Sequence, residues 1–393
     1  LRALDALNFF LADVREGIGP FLAVYLAATL HWNPAQIGLT LALGGFAGVL
    51  AQTPMGALVD QIRQKRLLIV SASAVIGLGS LATVLIGTKP VIFGSQIAMQ
   101  IAAAIFPPAV AAITLGLVGY REMDRRTGRN GTFDHAGNVA GALLAGWLST
   151  VLGAGAIFYF AVAMSVVNCC AALAIRENDI DHELARGAVN GDSPRIASVG
   201  ALLRDRNLAV FVVAVVLFHF ANAAMLPLLG QYLAAGKMRP ATAGLDMAAC
   251  IIIAQLVMTP VALLAGKLAH TWGRKPVFLI GFLALPIRGV LYTVNRDPRW
   301  LLAVQALDGI GAGIFGVVSV IVIADLTRGT GRFNLAQGAI ATATGIGAAL
   351  SNALTGVLAK NFGYNAGFLF LAAVAVAAFL FFALAMPETI QKS

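Results

Sequence analysis

The sequence predicts an all-α integral membrane protein with 12 transmembrane helices in two six-helix bundles. Three observations carry that expectation. Apolar residues make up 59% of the 393 residues and charged residues 11%, whereas soluble chains carry about 25% charge. The charges fall between apolar runs of about 20 residues, the length that crosses a bilayer core as helix. The second half of the chain also echoes the first. A net charge of +9 does not read as nucleic-acid binding, because basic binders carry their charge in patches on a polar chain.

Taken in order, the expected spans are 3–30, 36–58, 67–88, 91–118, 133–153, 155–175, 208–235, 241–269, 275–295, 300–325, 333–360 and 364–386. β-barrel strands would be about 10 residues long and alternating, and nothing here alternates. Backbone groups in lipid must be satisfied internally, so the runs are helices. Asp13, Arg15 and Glu16 interrupt the first run where a signal peptide needs an unbroken stretch, so this segment is expected to stay in the product. The chain opens on Leu1, which points to a few native residues ahead of it. The fourth and fifth spans are separated by a basic loop, REMDRRTGR. The one long connection covers 176–207 and reads as a solvated linker. It divides an N-terminal bundle, 1–175, from a C-terminal bundle, 208–393. LLRDRNL at its end is expected to lie along the membrane surface. Cys169, Cys170 and Cys250 have no ligand spacing and read as small buried hydrophobes, with no metal site and no disulfide framework.

Orientation follows from Lys and Arg. With the N-terminus in the cytoplasm, 19 of them fall on that side and 6 on the other, with Arg15 and Arg288 inside spans. Both termini are therefore expected to be cytoplasmic, in a bacterial inner membrane.

Four echoes in register define an internal repeat. GALVDQIRQKR from Gly56 matches GKLAHTWGRKP from Gly266. AGWLSTVLGAGAIF from Ala145 matches LTGVLAKNFGYNAGF from Leu354. Gln96 and Phe106 in the fourth span fall on Gln305 and Phe315 in the tenth. PFLAVYLAA from Pro20 matches PLLGQYLAA from Pro227. Two bundles repeated in one orientation imply a pseudo-two-fold axis along the membrane normal, with a cavity near the midplane.

On these residues the chain resembles the major facilitator superfamily. That family's loop after the second helix reads G-x-x-x-D-(R/K)-x-G-x-(R/K)-(R/K). Gly56, Asp60, Lys65 and Arg66 match it, while Gln61 and Arg63 depart; the second copy keeps Gly266, Gly273, Arg274 and Lys275 but has His270 in place of the acid. The resemblance implies that this loop latches the cytoplasmic side. Proton-driven exporters of the family often carry RxxQG in the fourth helix and GPxxGG in the fifth. This chain has Gln96 and Gln100 without the arginine, and AGNVAGALLAG without the proline.

Ionisable groups inside spans are the best functional clues, because placing one there is unfavourable by a few kcal/mol. Asp5, Asn8, Ala12, Glu16 and Gly19 fall on one helical stripe, expected to face the cavity. Glu16 lies about 20 Å into its span. Burial raises its pKa and a neighbouring arginine lowers it, so Asp13 and Glu16 are the expected proton-coupling pair, with Arg15 as counter-ion or substrate anchor. Asp5, near the end, reads as solvated. Arg288 and Asp308 lie at similar depth on neighbouring spans, where a salt bridge is feasible. His219 and Asn222 share a face, and the Pro20–Pro227 register puts Asn222 opposite Arg15. Arg15, Gln96, Gln100, His219, Asn222, Arg288 and Asp308 are thus the expected substrate-cavity residues. Gly56, Asp60, Lys65, Arg66, Asp134, His135, Asn138, Gly266, His270, Arg274 and Lys275 form the expected cytoplasmic gate.

The function expected is secondary active transport by alternating access: a proton-coupled monomer, with no cofactor and no catalytic residues, that exports a small organic solute. Uptake of an organic anion or siderophore-like compound by proton symport is the alternative. A non-transporting membrane sensor or enzyme is a different class, and the absence of HExxH and of nucleotide-binding glycine loops argues against the enzyme.

Overall fold

The computed structural model describes residues 1–12, 14, 18–182, 185, 205–235, 243–327 and 333–389, apart from the side chains of 18, 53, 60, 120, 121, 123–125, 243 and 333–335. Fourteen α-helices occupy these residues: α1 (Arg2–Ala12), α2 (Ile18–Ala28), α3 (Pro34–Gln61), α4 (Lys65–Leu85), α5 (Lys89–Ala103), α6 (Phe106–Leu152), α7 (Ala156–Leu173), α8 (Arg206–Ala223), α9 (Met225–Ala235), α10 (Ala243–Thr271), α11 (Arg274–Val294), α12 (Pro298–Leu326), α13 (Phe333–Phe362) and α14 (Tyr364–Ala385). Among the described residues, ten helical stretches are long and apolar enough to cross a membrane. The other two expected spans are the first, described as α1 and α2 with 13 and 15–17 outside the described residues, and the fifth. In the fifth, His135, Asn138 and the glycines dilute the apolar character of the second half of α6.

Two compact units emerge. One gathers Leu1–His31, Leu43–Asp192 and Ala234–Ala248; the other gathers Trp32–Ala42, Ser193–Leu233 and Ala249–Ser393. In the first, α4 packs along α7 and α5, and α1 along α6 and α7. In the second, α11 packs along α14 and α12, and α8 along α13 and α14. The pairings are the same, position for position, so the sequence repeat is also a repeat of packing. It reaches the turns: Gly153 and Gly363 hold φ of 89° and 85° at equivalent helix junctions, a left-handed backbone that glycine adopts without strain.

The first unit's core holds Leu4, Leu7, Leu11, Ile69, Ile76, Phe106 and Ile113. In the second, Phe211, Phe218, Phe278, Phe282 and Phe382 stack within one cluster. Outward-facing positions are equally apolar: Leu50, Leu78, Leu263 and Leu384 are 77%, 67%, 70% and 85% exposed. Water would penalise that surface, whereas lipid accepts it.

Two expectations are corrected here. The basic stretch REMDRRTGR is not a loop. Its backbone is helical within α6, whose single non-helical residue is Gly119, at φ 67° and ψ 176°. Arg, Glu and Met are good helix formers, and Arg126 and Arg129 are held by an acid on α1. The connection from 176 is not solvated from its start. Glu177–Asp179 form a short 3-10 turn, Ile180 and Ala185 are buried in the first unit, and Asp181 N–H donates to the Gly116 carbonyl at 2.9 Å. In LLRDRNL, Asp205 caps α8 by accepting from Asn207 and Leu208 N–H at 2.9 and 3.0 Å, and Arg206 already belongs to α8; 201–204 lie outside the described residues.

α1 and α6 approach through Gly137, where a side chain's Cβ would stand 2.0 Å from the Phe9 carbonyl oxygen and 3.1 Å from Ala12 Cβ. Gly137→Val must force the helices apart, which typically costs about 1–3 kcal/mol or more. A lowered unfolding temperature of the purified protein checks this; an unchanged one refutes the packing.

Candidate functional site

The seventh expected span runs as α8 and α9, broken at Ala224. The cause is chemical. Pro227 has no N–H to donate to the Ala223 carbonyl, and its ring crowds the preceding turn. The Ala224 N–H is shared between the Asn222 carbonyl and Ser351 Oγ of α13, the latter at 3.0 Å, while the Ala224 carbonyl still accepts from Leu228 N–H at 2.9 Å. In the first span α2 is described from Ile18 to Ala28, with Pro20 in the repeat position of Pro227, and 15–17 lie outside the described residues.

A polar network is built around this break, entirely within the second unit. Arg288 of α11 is 1% exposed. Its Nη2 donates to Asn222 Oδ1 at 2.5 Å, its Nε lies 3.1 Å from Met225 Sδ, and its Nη1 pairs with Asp308 of α12. The guanidinium therefore touches the last turn of α8 and the first residue of α9. Asp308 is held in turn by Gln305, whose Nε2 donates to Oδ2 at 2.9 Å, and Gln305 Oε1 accepts from Tyr292 OH. Gln305 and Tyr292 are fully buried, while the Asp308 side chain keeps 17% exposure. A buried charge is tolerable only when paired and hydrogen-bonded, and both ionic partners here are. The network combines a fully buried cation, a carboxylate with 17% of its side chain exposed, and contacts from the cation to residues on both sides of Ala224.

Arg288, Asp308 and Asn222 thus come together, whereas the sequence reading paired Arg288 with Asp308 and set Asn222 opposite Arg15. His219 lies one turn before Asn222, its ring edge-on to Phe315 at 4.6 Å, and its Nε2 has no hydrogen-bond partner. In the first unit Gln96 is buried with its Nε2 unpartnered, and Gln100 packs on Gly44 and Gly48 of α3. Asp13, Arg15 and Glu16 lie outside the described residues. The lower part of their stripe does not open to a cavity, a further correction. Asp5, Asn8 and Ala12 are buried. Asp5, expected to be solvated, accepts from Arg126 Nη2 at 2.6 Å and from Arg129 Nε and Nη2 at 2.9 and 2.7 Å.

The expected gate residues make contacts within their own units. Lys65 is buried, and its Nζ donates to the Val59 and Ile62 carbonyls at 2.9 and 3.1 Å. Arg274 Nη1 does the same for Ala269, the repeat equivalent of Val59, at 2.8 Å. Arg66 pairs with Glu177, its Nε 2.5 Å from Oε2. Arg274 Nε pairs with Asp325 at 3.0 Å, and Glu388 accepts from the Arg274 and Lys275 N–H groups at 2.9 and 3.1 Å. Each loop is thus fastened to an acid that follows the last helix of its own bundle. Gly56 borders open space and Gly266 packs on Val317. His135 and His270 are exposed, and Asp134 and Asn138 are half-buried. The side chain of Asp60 is outside the description.

Sequence reasoning missed Tyr292, Met225 and the role of Gln305. Gln305 had a signal, since it matches Gln96 in the repeat. It also missed the cluster at Asp5, extended by Arg126 Nε donating to Asn130 Oδ1 and Asn130 Nδ2 to Thr114 Oγ1, both at 2.9 Å. A pocket of about 350 Å³ among Leu1, Arg2, Leu117, Ile175 and Arg176 contains none of the expected residues.

Comparison with known proteins is consistent with this geometry. The family model described as Major Facilitator Superfamily matches residues 4–262 and 238–393. A protein of Mycobacterium tuberculosis named as an uncharacterized MFS-type transporter is 47% identical over 394 residues, covering 100% of this chain and 94% of its own. The multidrug resistance protein fnx1 of Schizosaccharomyces pombe is 30% identical over 131 residues, 32% of this chain and 24% of that one. Among solved structures, the nucleoside transporter NupG superposes with a TM-score of 0.82 at 16% identity, covering 97% of both chains. A POT family transporter bound to a thioalcohol-conjugated peptide gives 0.75 at 13%, covering 96% of this chain and 94% of that one.

Proposed function

The chain belongs to the major facilitator superfamily, an integral membrane transporter family, and from that premise we propose that it couples proton movement to export of a small organic solute. The observation that carries the reading is the Arg288–Asp308 pair in the interior of apolar spans, with a carboxylate that is 17% exposed. An ion pair at that depth is unfavourable to build, and such groups mark ion and substrate pathways. Asp13 and Glu16 supply the coupling protons, Arg15 is the counter-ion or substrate anchor, and Gln96, Gln100, His219 and Asn222 offer hydrogen bonds to the solute. Because Asp308 neutralises Arg288, a solute carboxylate or similar group is assigned to Arg15. Likeness to a multidrug resistance protein over a third of the chain favours export. The loops from Gly56 to Arg66 and from Gly266 to Lys275 fix the cytoplasmic ends of their bundles, and the protein works as a monomer in a bacterial inner membrane.

The test is transport in proteoliposomes with an imposed pH gradient, using candidate organic acids and drugs. Solute flux against the proton gradient is expected, and Glu16→Gln is expected to remove its dependence on that gradient. Unchanged coupling in Glu16→Gln refutes the assignment. Solute movement with the protons establishes symport instead.

A further inference from the structure

We propose that the cavity beside the start of α1 binds the phosphate of a phospholipid headgroup, held between Arg2 and Arg176. The site goes beyond the transport reading and does not depend on it.

The cavity, of about 350 Å³, lies within the first unit and is of a size that holds a small ligand. It sits where two apolar spans stop. The stretch Lys89–Gly119 ends two residues past Leu117, and Ala156–Leu173 ends just before Ala174. For a lipid packed on these helices that is headgroup depth. The inner wall is apolar, with Leu4 and Ile175 buried and Leu117 half-buried; Arg2, Arg176 and Asp179 are exposed at the rim. Elsewhere in this unit Arg66 pairs with Glu177, and Arg126 and Arg129 pair with Asp5. Among the described residues, by contrast, neither Arg2 nor Arg176 has a carboxylate within salt-bridge distance. Two arginines and one aspartate leave the rim with a single net positive charge, which a monoanionic phosphodiester neutralises. The site rests on these side chains and makes no use of the Leu1 amino group.

The segment that carries Arg176 is fixed before a ligand arrives. Arg66 Nη1 donates to the Leu173 and Ile175 carbonyls at 3.3 and 2.5 Å, and Asp181 N–H holds the chain to Gly116. Binding therefore has little to order beyond the two arginine side chains, and a guanidinium matches phosphate oxygens in pairs. The surface leading away from the cavity favours a lipid over a soluble phosphate. Val166, Cys170 and Leu173 are exposed at spacings of four and three along α7, so they share one face that runs up to Ala174. Acyl chains on that face place the phosphate at the guanidiniums. A phosphate bridging Arg2 and Arg176 ties the start of α1 to the end of α7.

Native mass spectrometry of the full chain, titrated in detergent with phosphatidylglycerol, counts bound lipids and gives their affinity. One lipid is expected to bind well above the rest. Arg2→Gln and Arg176→Gln are each expected to weaken it about tenfold, as loss of a charge-assisted contact does; both side chains are exposed, so both variants are expected to fold. Arg63→Gln removes an exposed arginine outside the cavity and is expected to change nothing. Diacylglycerol, which has the chains without the phosphate, is expected not to compete, and glycerol 3-phosphate, which has the phosphate without the chains, to compete only at far higher concentration. Native affinity in both cavity variants, an equal loss in Arg63→Gln, displacement by diacylglycerol, or saturation by glycerol 3-phosphate at the lipid's own concentration each overturns the proposal.

Discussion

Asp5→Ala is expected to destabilise the folded chain by about 3–5 kcal/mol, the range for removing one partner of a buried ion pair. The sign follows from which charge is left behind. Arg126, with a side chain 5% exposed, loses the carboxylate 2.6 Å away and keeps its bond to Asn130. Arg129 is 58% exposed, and water replaces its lost bonds, so Arg129→Met alone is expected to do little. The double variant Asp5→Ala with Arg126→Met removes the stranded charge and is expected to recover most of the loss. Thermal unfolding of the four proteins checks this. An Asp5→Ala protein that melts with the native one would show that Arg126 finds water instead.

That cluster marks a limit of sequence reading. Asp5 lies near the end of an apolar run, where solvation is the ordinary outcome, and its partners lie 121 and 124 residues away in a stretch that reads as a basic loop. Charge density there argues for loop, whereas helix propensity and one distant acid settle it as helix. Local composition cannot report a long-range pair. The fold itself was legible because its cause is local: each apolar run satisfies its own backbone as helix, and the register between halves is visible in residues such as Gly56 and Gly266 or Pro20 and Pro227.

The candidate site was legible in part for the same reason. Depth along a helix is a sequence property, so Arg288 and Asp308 could be paired by counting residues, whereas the proline register set Asn222 opposite Arg15 and not beside Arg288. Rotation about the helix axis and the reach of individual side chains are not. Tyr292, Gln305 and Met225 entered the network only in three dimensions, and their apolar or amide character gave no charge signal. Likewise Lys65 and Arg66 read as latch residues from their motif. Their bonds to Val59, Ile62 and Glu177 show that a cation in such a loop can close its own helix end and its own bundle first.

The second large effect separates what Arg288 and Asp308 do for stability from what they do for transport. Asp308→Ala strands a guanidinium that is 1% exposed and is expected to cost about 3–5 kcal/mol. Arg288→Met leaves a carboxylate that is 17% exposed and free to take up a proton, so its cost is expected to be smaller, about 1–3 kcal/mol. The double variant Arg288→Met with Asp308→Leu replaces the pair by apolar groups of similar volume. Such exchanges are often neutral or stabilising by about 1–4 kcal/mol, so it is expected to melt at or above the native temperature. In proteoliposomes the double variant is expected to bind solute but to lose the acid dependence of turnover. A variant that folds well and also transports with native acid dependence would reduce the pair to a clamp between α11 and α12. A well-folded one that has lost that dependence shows that the chain keeps an expensive ion pair in lipid for its response to protons.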